Sequence, residues 1–88
     1  MSAPPKPTLA VALRYEKPRA PRVVAVGRGE LGQRIIDTAR EHGVPLQQNP
    51  ELAEALAGVE LDEEIPEALY RAVAEVIGFV LRTSARKR

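Results

Sequence analysis

Two segments of β-strand pattern, separated by a short proline-containing turn, constrain the fold of this chain more than any other feature. Leu9, Val11 and Leu13 alternate with smaller or charged residues, and this period of two predicts a strand over residues 9–15 with one apolar face. Residues 22–26 are rich in valine, which favours a second, buried strand. Because only a short turn joins the two strands, they are predicted to pair as an antiparallel hairpin.

A glycine-rich turn and a helix follow the hairpin. Residues 30–42 repeat apolar side chains at helical spacing, and Gly43 stands where a left-handed helix end is expected. Residues 44–48 have the pattern of a short third strand, which Pro45 restricts to a sheet edge or to the first position of the strand. A strand, a helix and a further strand in this order predict a parallel pair with a right-handed crossover.

Two more helices are marked by the residues at their starts. Asn49 and Pro50 are typical of a helix N-terminus and predict a helix over residues 50–57. Pro66 predicts the start of the last helix, over residues 66–81. The predicted fold class is therefore α/β, with a small mixed sheet of about three strands packed with three helices.

The length of the chain allows one hydrophobic core. We expect a single domain over residues 8–82, with a flexible lead-in over 1–7 and a flexible basic tail over 83–88. The absence of cysteine excludes disulfides and thiol chemistry. The longest apolar run, Val76–Leu81, is far shorter than the roughly 20 residues of a membrane helix, and residues 1–6 lack the features of a secretory signal. A soluble, cytoplasmic protein is expected.

The charges are unevenly distributed along the chain. Residues 1–28 carry six basic and one acidic side chain, residues 29–70 two and ten, and residues 71–88 five and one. Such asymmetry affects the choice of partner more than the fold. The aromatic content of 3% argues against a surface that stacks nucleic-acid bases, although a nucleic-acid binder using the basic tail remains an alternative.

The sequence Gly27-Arg28-Gly29-Glu30-Leu31-Gly32 lies between a strand and a helix, where dinucleotide folds place a G-x-G-x-x-G turn against a pyrophosphate. An acidic residue that would bind the ribose is missing from residues 47–49, and no further strand–helix units follow. The glycines are explained by the tight turn into the helix, so no cofactor is expected. A nucleotide-binding module built on Gly27, Gly29 and Gly32 remains an alternative function.

Catalytic and metal-binding residues are not indicated. His42 is the single histidine and stands at a helix C-terminus, where a capping side chain is favoured. Ser2 and Ser84 are the two serines, and both fall in the predicted tails. A serine nucleophile held in place beside the histidine is therefore not expected. We predict a protein that is not an enzyme and holds no metal.

The last predicted helix carries two apolar stripes. Leu69, Val73, Val76 and Val80 form one stripe, which suffices for packing on a sheet. The second stripe lies on the adjoining shoulder and consists of Tyr70, Ala74, Ile77 and Leu81. This wide apolar arc predicts either a docking surface or a shoulder covered by the second helix.

Several segments, in this order, resemble the C-terminal cytoplasmic domain of the FlhB, YscU and SpaS family of type III export switch proteins. The resemblance spans residues 7–81 and rests on Pro7-Thr8 with AVALRY, Ala20-Pro21 with VVAVG, AREHGVP, NPELAEAL and EIPEALYRAVAEV. Members of this family cleave themselves at Asn-Pro-Thr-His, where the asparagine side chain cyclises on its own carbonyl carbon. The aligned residues here are Lys6, Pro7, Thr8 and Leu9. Lysine has no carboxamide to form that ring, so no autocleavage is expected.

The resemblance also implies a function and a site. The chain is similar to a free-standing copy of the fragment downstream of the cleavage point, and we expect a non-enzymatic accessory that contributes to substrate-specificity switching in flagellar or injectisome export. The positions that match a substrate-docking apolar patch are Ala20, Pro21, Ala74 and Ile77.

The expected partners are export-gate components and export substrates. The full-length or truncated switch protein, or a second copy of this chain, is a further candidate, because a sheet without the family's upstream strand has a vacant edge that can accept a strand. The expected location is the cytoplasm, peripheral to the export apparatus on the inner membrane. Neither membrane insertion nor nucleic-acid binding is expected. Self-association alone is a further alternative function.

Overall fold

The computed structural model describes the backbone of residues 8–86 and the side chains of residues 8–81. Strand β1 (Leu9–Arg14) pairs antiparallel with strand β2 (Arg22–Arg28), which confirms the predicted hairpin. The register shifts between Ala12 and Leu13, which face Ala25 and Val23. The intervening Val24 therefore has no partner in β1, and this bulge turns its side chain outward while Val23 stays buried.

Helix α1 (Glu30–Glu41) begins directly after β2 and packs across both strands. Its close approach depends on glycine. A Cβ atom on Gly32 would lie 2.7 Å from the carbonyl oxygen of Gly27 and 2.8 Å from that of Thr8. At the other end of α1, Gly43 adopts a φ of +69°, as predicted, and its N–H and that of Val44 bind the carbonyls of the last turn.

The predicted third strand over residues 44–48 is wrong. In the described part of the chain the sheet has two strands, and this segment is an irregular, exposed connection. The N–H of Val44 is used to end α1, at 2.8 Å from the carbonyl oxygen of Ala39, and Pro45 has no N–H to offer a neighbouring strand. The predicted parallel crossover is therefore also wrong, and the sheet is antiparallel rather than mixed.

Helix α2 (Pro50–Ala57) has the bounds predicted from the sequence. Its first turn is capped by Asn49, whose side-chain oxygen accepts a hydrogen bond of 3.1 Å from the N–H of Leu52. Helix α3 (Tyr70–Arg86) follows a single 3₁₀ turn at Glu67–Leu69. The last helix therefore starts later and ends later than the predicted 66–81.

The core is small and lies where β2, α2, α3 and the segment before α3 meet. Its fully or almost fully buried side chains are Val23, Leu56, Ile65 and Val73. The connector over residues 59–66 is hydrogen-bonded to the start of β2 and to the residue before it. The N–H of Asp62 donates to the carbonyl of Val23 (2.8 Å), and the N–H of Ile65 donates to the carbonyl of Pro21 (3.0 Å). Helix α3 enters this core at Val73, whereas Phe79 and Leu81 near its other end are about half exposed.

Candidate docking groove between the hairpin turn and the last helix

An open apolar groove of about 510 Å³ separates the turn of the hairpin from α3. Its volume falls in the range of small-molecule sites, about 300–1,000 Å³. Most of the lining side chains are aliphatic or aromatic: Tyr15, Lys17, Pro18, Arg19, Ala20, Pro21, Ile65, Tyr70, Val73, Ala74, Ile77, Gly78 and Leu81. None of these belongs to α2, so the shoulder of α3 is not covered by the second helix, the alternative that the sequence left open.

The groove is built on the core. Ile65 and Val73 are buried in the core and also line the groove. The base of the groove is therefore part of the packed interior. One wall is the end of the hairpin turn, where the carbonyl of Pro21 is held at 3.0 Å by the N–H of Ile65. The other wall is α3. The positions of both walls are therefore set by the same core residues.

The structure brings together the four residues that the resemblance assigned to a docking patch. Ala20 and Pro21 are half-buried on the turn, and Ala74 and Ile77 face them from α3. Ala74 is exposed and Ile77 is half-buried, so this side of the helix offers both accessible and anchored apolar surface. Their role in docking remains a prediction.

Sequence reasoning missed the part of the groove contributed by the end of β1 and the turn. Tyr15 and Tyr70 are 42% and 43% exposed and stand at the rim. Tyr70 was on the predicted shoulder stripe of the helix, but nothing local in the sequence indicated that Tyr15, Lys17 and Arg19 would face that stripe. Their placement is a consequence of how the turn packs, which only the tertiary structure reveals.

The other sequence candidates lie elsewhere. Lys6 and Pro7 of the altered cleavage sequence are outside the described residues. Thr8 accepts a hydrogen bond of 2.7 Å from the N–H of Gly29 through its carbonyl, and Leu9 starts β1. The carbonyls of Thr8 and Gly27 closely approach Gly32 in α1, so the packing of α1 on the hairpin accounts for glycine there without a nucleotide.

His42 has a structural role at the end of α1. Its Nδ1 atom lies 2.9 Å from the carbonyl oxygen of Thr38, and the side chain is exposed. Within the described residues no group of histidine, aspartate and glutamate side chains has the proximity needed to hold a metal ion.

A separate ion pair ties the end of β2 to α2. The guanidinium of Arg28 donates two hydrogen bonds, of 3.2 and 3.1 Å, to the two carboxylate oxygens of Glu54. This hydrogen bonding, with the attraction between the charges, raises the pKa of Arg28 and lowers the pKa of Glu54. Both groups are exposed and lie outside the groove.

Comparison with known proteins confirms the resemblance seen in the sequence. The family model described as the FlhB HrpN YscU SpaS Family matches residues 6–80. The uncharacterized protein YlqH of Bacillus subtilis (strain 168) is 44% identical over 75 residues, which cover 83% of this chain and 81% of YlqH. The flagellar biosynthetic protein FlhB of Aquifex aeolicus (strain VF5) is 45% identical over 76 residues, covering 83% of this chain and 22% of that protein. This chain therefore spans about a fifth of that FlhB.

The fold has a solved counterpart in the crystal structure of the PscU C-terminal domain. The two superpose with a TM-score of 0.77 at 32% sequence identity, over 82% of this chain and 95% of that domain. The α/β fold class predicted from the sequence is thus confirmed, with a corrected number of strands. In the described part of the chain, no helix combines the length and apolar character that a membrane-spanning segment requires.

Proposed function

This chain belongs to the FlhB HrpN YscU SpaS family, and we propose that it serves flagellar or related type III protein export as a non-enzymatic accessory. In this proposal the groove between the hairpin turn and α3 binds apolar segments of export substrates or of export-gate components. One observation carries the proposal: Ala20 and Pro21 converge with Ala74 and Ile77, more than fifty positions later in the sequence, on one apolar groove.

The physical basis of such docking is burial of apolar surface on a base that is already formed. Burying one leucine-sized side chain is worth about 1.5–3 kcal/mol, whereas association itself costs about 4–15 kcal/mol, so a segment must bury several such side chains in the groove to make even a weak, reversible contact. Tyr15 and Tyr70 at the rim are amphipathic aromatics, the type of residue that is enriched at binding hot spots.

Co-purification with export substrates and gate components tests the docking role. Ala74→Asp places a charge on the exposed wall of the groove, and we expect it to reduce recovery of partners at least tenfold. Ala55→Asp is a matched control, because it makes the same change at an exposed helical alanine outside the groove. Equal recovery with wild type and Ala74→Asp would reject the groove as the docking site.

The same proposal includes the absence of autocleavage. Lysine at position 6 has no side-chain amide that could cyclise on the carbonyl carbon before Pro7. Intact-mass spectrometry of the purified protein is expected to give a single species that retains residues 1–6. Lys6→Asn alone leaves Leu9 where the family motif has histidine, so the double variant Lys6→Asn/Leu9→His is the informative comparison. Loss of the first six residues from the unaltered chain would contradict this part of the proposal.

A second contact is favoured by the sheet. In the described residues β1 is hydrogen-bonded to β2 alone, so its other edge can accept a strand. We propose that the switch protein, or a second copy of this chain, adds a strand there. Hydrogen exchange of the amides over residues 9–15 should slow in the presence of that partner, and unchanged exchange would reject strand addition.

The proposed location follows from the proposed partners. A chain that binds export-gate components is expected in the cytoplasm, peripheral to the export apparatus on the inner membrane. Cell fractionation in strains with and without the export gate tests this location. Dependence of membrane recovery on the gate would support it, and identical fractions in both strains would contradict it.

A further inference from the structure

We infer that Lys17 and Arg19 make the groove selective for apolar segments that are flanked by carboxylates. The inference rests on the proposed docking role and adds the chemistry of the segment. Among the residues that line the groove, these two are the charged ones, and both are cations. They stand on the hairpin turn, beside an otherwise apolar surface.

Neither cation is neutralised by a neighbour in the described part of the chain. The ion pairs there are Arg14 with Glu16, at 3.4 Å, and Arg28 with Glu54, at 3.1 Å. Glu16, the carboxylate nearest in sequence to Lys17 and Arg19, is therefore already engaged with Arg14. Its backbone carbonyl also accepts the N–H of Arg19 at 2.9 Å, which holds the turn that carries the two cations.

The charges on neighbouring elements do not offset this pair. On α3, Arg71 and Glu75 line an adjoining depression that shares Tyr70, Ala74 and Gly78 with the groove, and their charges are opposite. The carboxylates of the connector before α3 do not line the groove, although Ile65 at its end does. The charged side chains that line the groove are thus both positive and belong to the wall formed by the turn, while α3 contributes apolar surface.

A segment that fits these features has apolar residues at its centre and aspartate or glutamate beside them. The apolar residues cover Ala74, Ile77 and the buried base, and the carboxylates approach Lys17 and Arg19. An exposed ion pair changes affinity by about twofold to fivefold. With two cations, an acidic segment should bind about tenfold more tightly than its amide counterpart at low ionic strength, and added salt should remove most of the difference.

Fluorescence anisotropy with two labelled peptides tests the inference on the full chain. The peptides share one leucine-rich centre and differ in the flanks, which are aspartate and glutamate in one and asparagine and glutamine in the other. We expect tighter binding of the acidic peptide to wild type, and loss of that preference in the double variant Lys17→Gln/Arg19→Gln. The control Arg34→Gln/Arg40→Gln removes two exposed cations from α1, away from the groove, and should retain the preference.

The outcomes separate this inference from the docking role itself. If both peptides bind equally and Ala74→Asp abolishes both, the groove docks apolar segments and the charge selectivity is wrong. If neither peptide binds wild type, the docking role and the selectivity are both rejected. Sedimentation of wild type and the Lys17→Gln/Arg19→Gln variant gives the remaining outcome. Self-association that disappears in the variant would make a second copy the occupant, and would overturn the assignment to a partner segment.

Discussion

Replacing Gly32 by alanine separates the intrinsic preference of a helix from the packing of α1 on the hairpin. By helix propensity alone, Gly32→Ala inside α1 should stabilise the protein by about 1 kcal/mol. The structure predicts the opposite sign. The new Cβ atom would lie 2.7 Å and 2.8 Å from the carbonyl oxygens of Gly27 and Thr8. Both are backbone atoms, which cannot rotate away as the end of a side chain can.

The size of the stability loss in Gly32→Ala depends on how far α1 must move. Relief of both contacts requires α1 to shift by several tenths of an ångström away from the two strands. Overpacking of this kind costs about 1–3 kcal/mol. Because two backbone atoms must be displaced, the cost should lie in the upper part of this range, at about 2–3 kcal/mol. The gain in helix propensity of about 1 kcal/mol offsets part of it, so we expect a net loss of about 1–2 kcal/mol. For a domain of this size that corresponds to a fall in Tm of about 4–15 °C.

Urea unfolding followed by circular dichroism measures the difference directly. Gly58→Ala is the matched control, because Gly58 has a φ of −85° and a Cβ atom there would come no nearer than 3.8 Å to its closest neighbour, the carbonyl oxygen of Ala55. That control should be neutral or up to about 1 kcal/mol more stable. If Gly32→Ala is as stable as wild type, or more stable, the close contact between α1 and the hairpin does not constrain this position and the reasoning fails.

Three further predictions test the core, the connector and the ion pair outside the groove. Val73→Ala, at a side chain 1% exposed, should lower the free energy of unfolding by about 2 kcal/mol in the same assay, and no loss would remove Val73 from the core. Asp62 adopts a φ of +67°, so Asp62→Val should cost about 1–2 kcal/mol, whereas Glu63→Val next to it should change stability by less than about 0.5 kcal/mol. The lowered pKa of Glu54 means that its stabilising contribution holds above the ordinary glutamate pKa and is lost as pH falls through the lowered value. Titration followed by NMR should therefore show the Glu54 pKa rising in Arg28→Gln, and an unchanged value would contradict the ion pair.

Features determined by neighbouring residues were predictable from the sequence. The alternation in β1, the short turn after it and the cap at Asn49 each involve groups within a few positions of one another, and the structure confirms the hairpin and the start of α2. The failed strand at 44–48 had a suitable local pattern too. A strand also needs a distant partner, however, and the N–H of Val44 is instead used to end α1. Pairing of that kind leaves no local mark in a single sequence.

The groove, too, could be predicted from the sequence only in part. Helical periodicity alone placed Ala74 and Ile77 on one stripe of the last helix and raised the question of what covers it. The answer depends on tertiary packing that no periodicity encodes. The hydrogen bond from the N–H of Ile65 to the carbonyl of Pro21 joins the end of the turn to the segment that leads into α3.

The size of the side chains then keeps the space open. Ala20 and Ala74 present single methyl groups from opposite walls, so the walls can stand near each other without filling the gap between them. Larger apolar residues at either position would fill part of the gap and cover part of Ile77, at a gain of about 25 cal/mol per Å² of apolar surface covered. Because both positions are alanine, this apolar surface is not covered by the chain's own side chains. It is therefore available to a segment of another molecule.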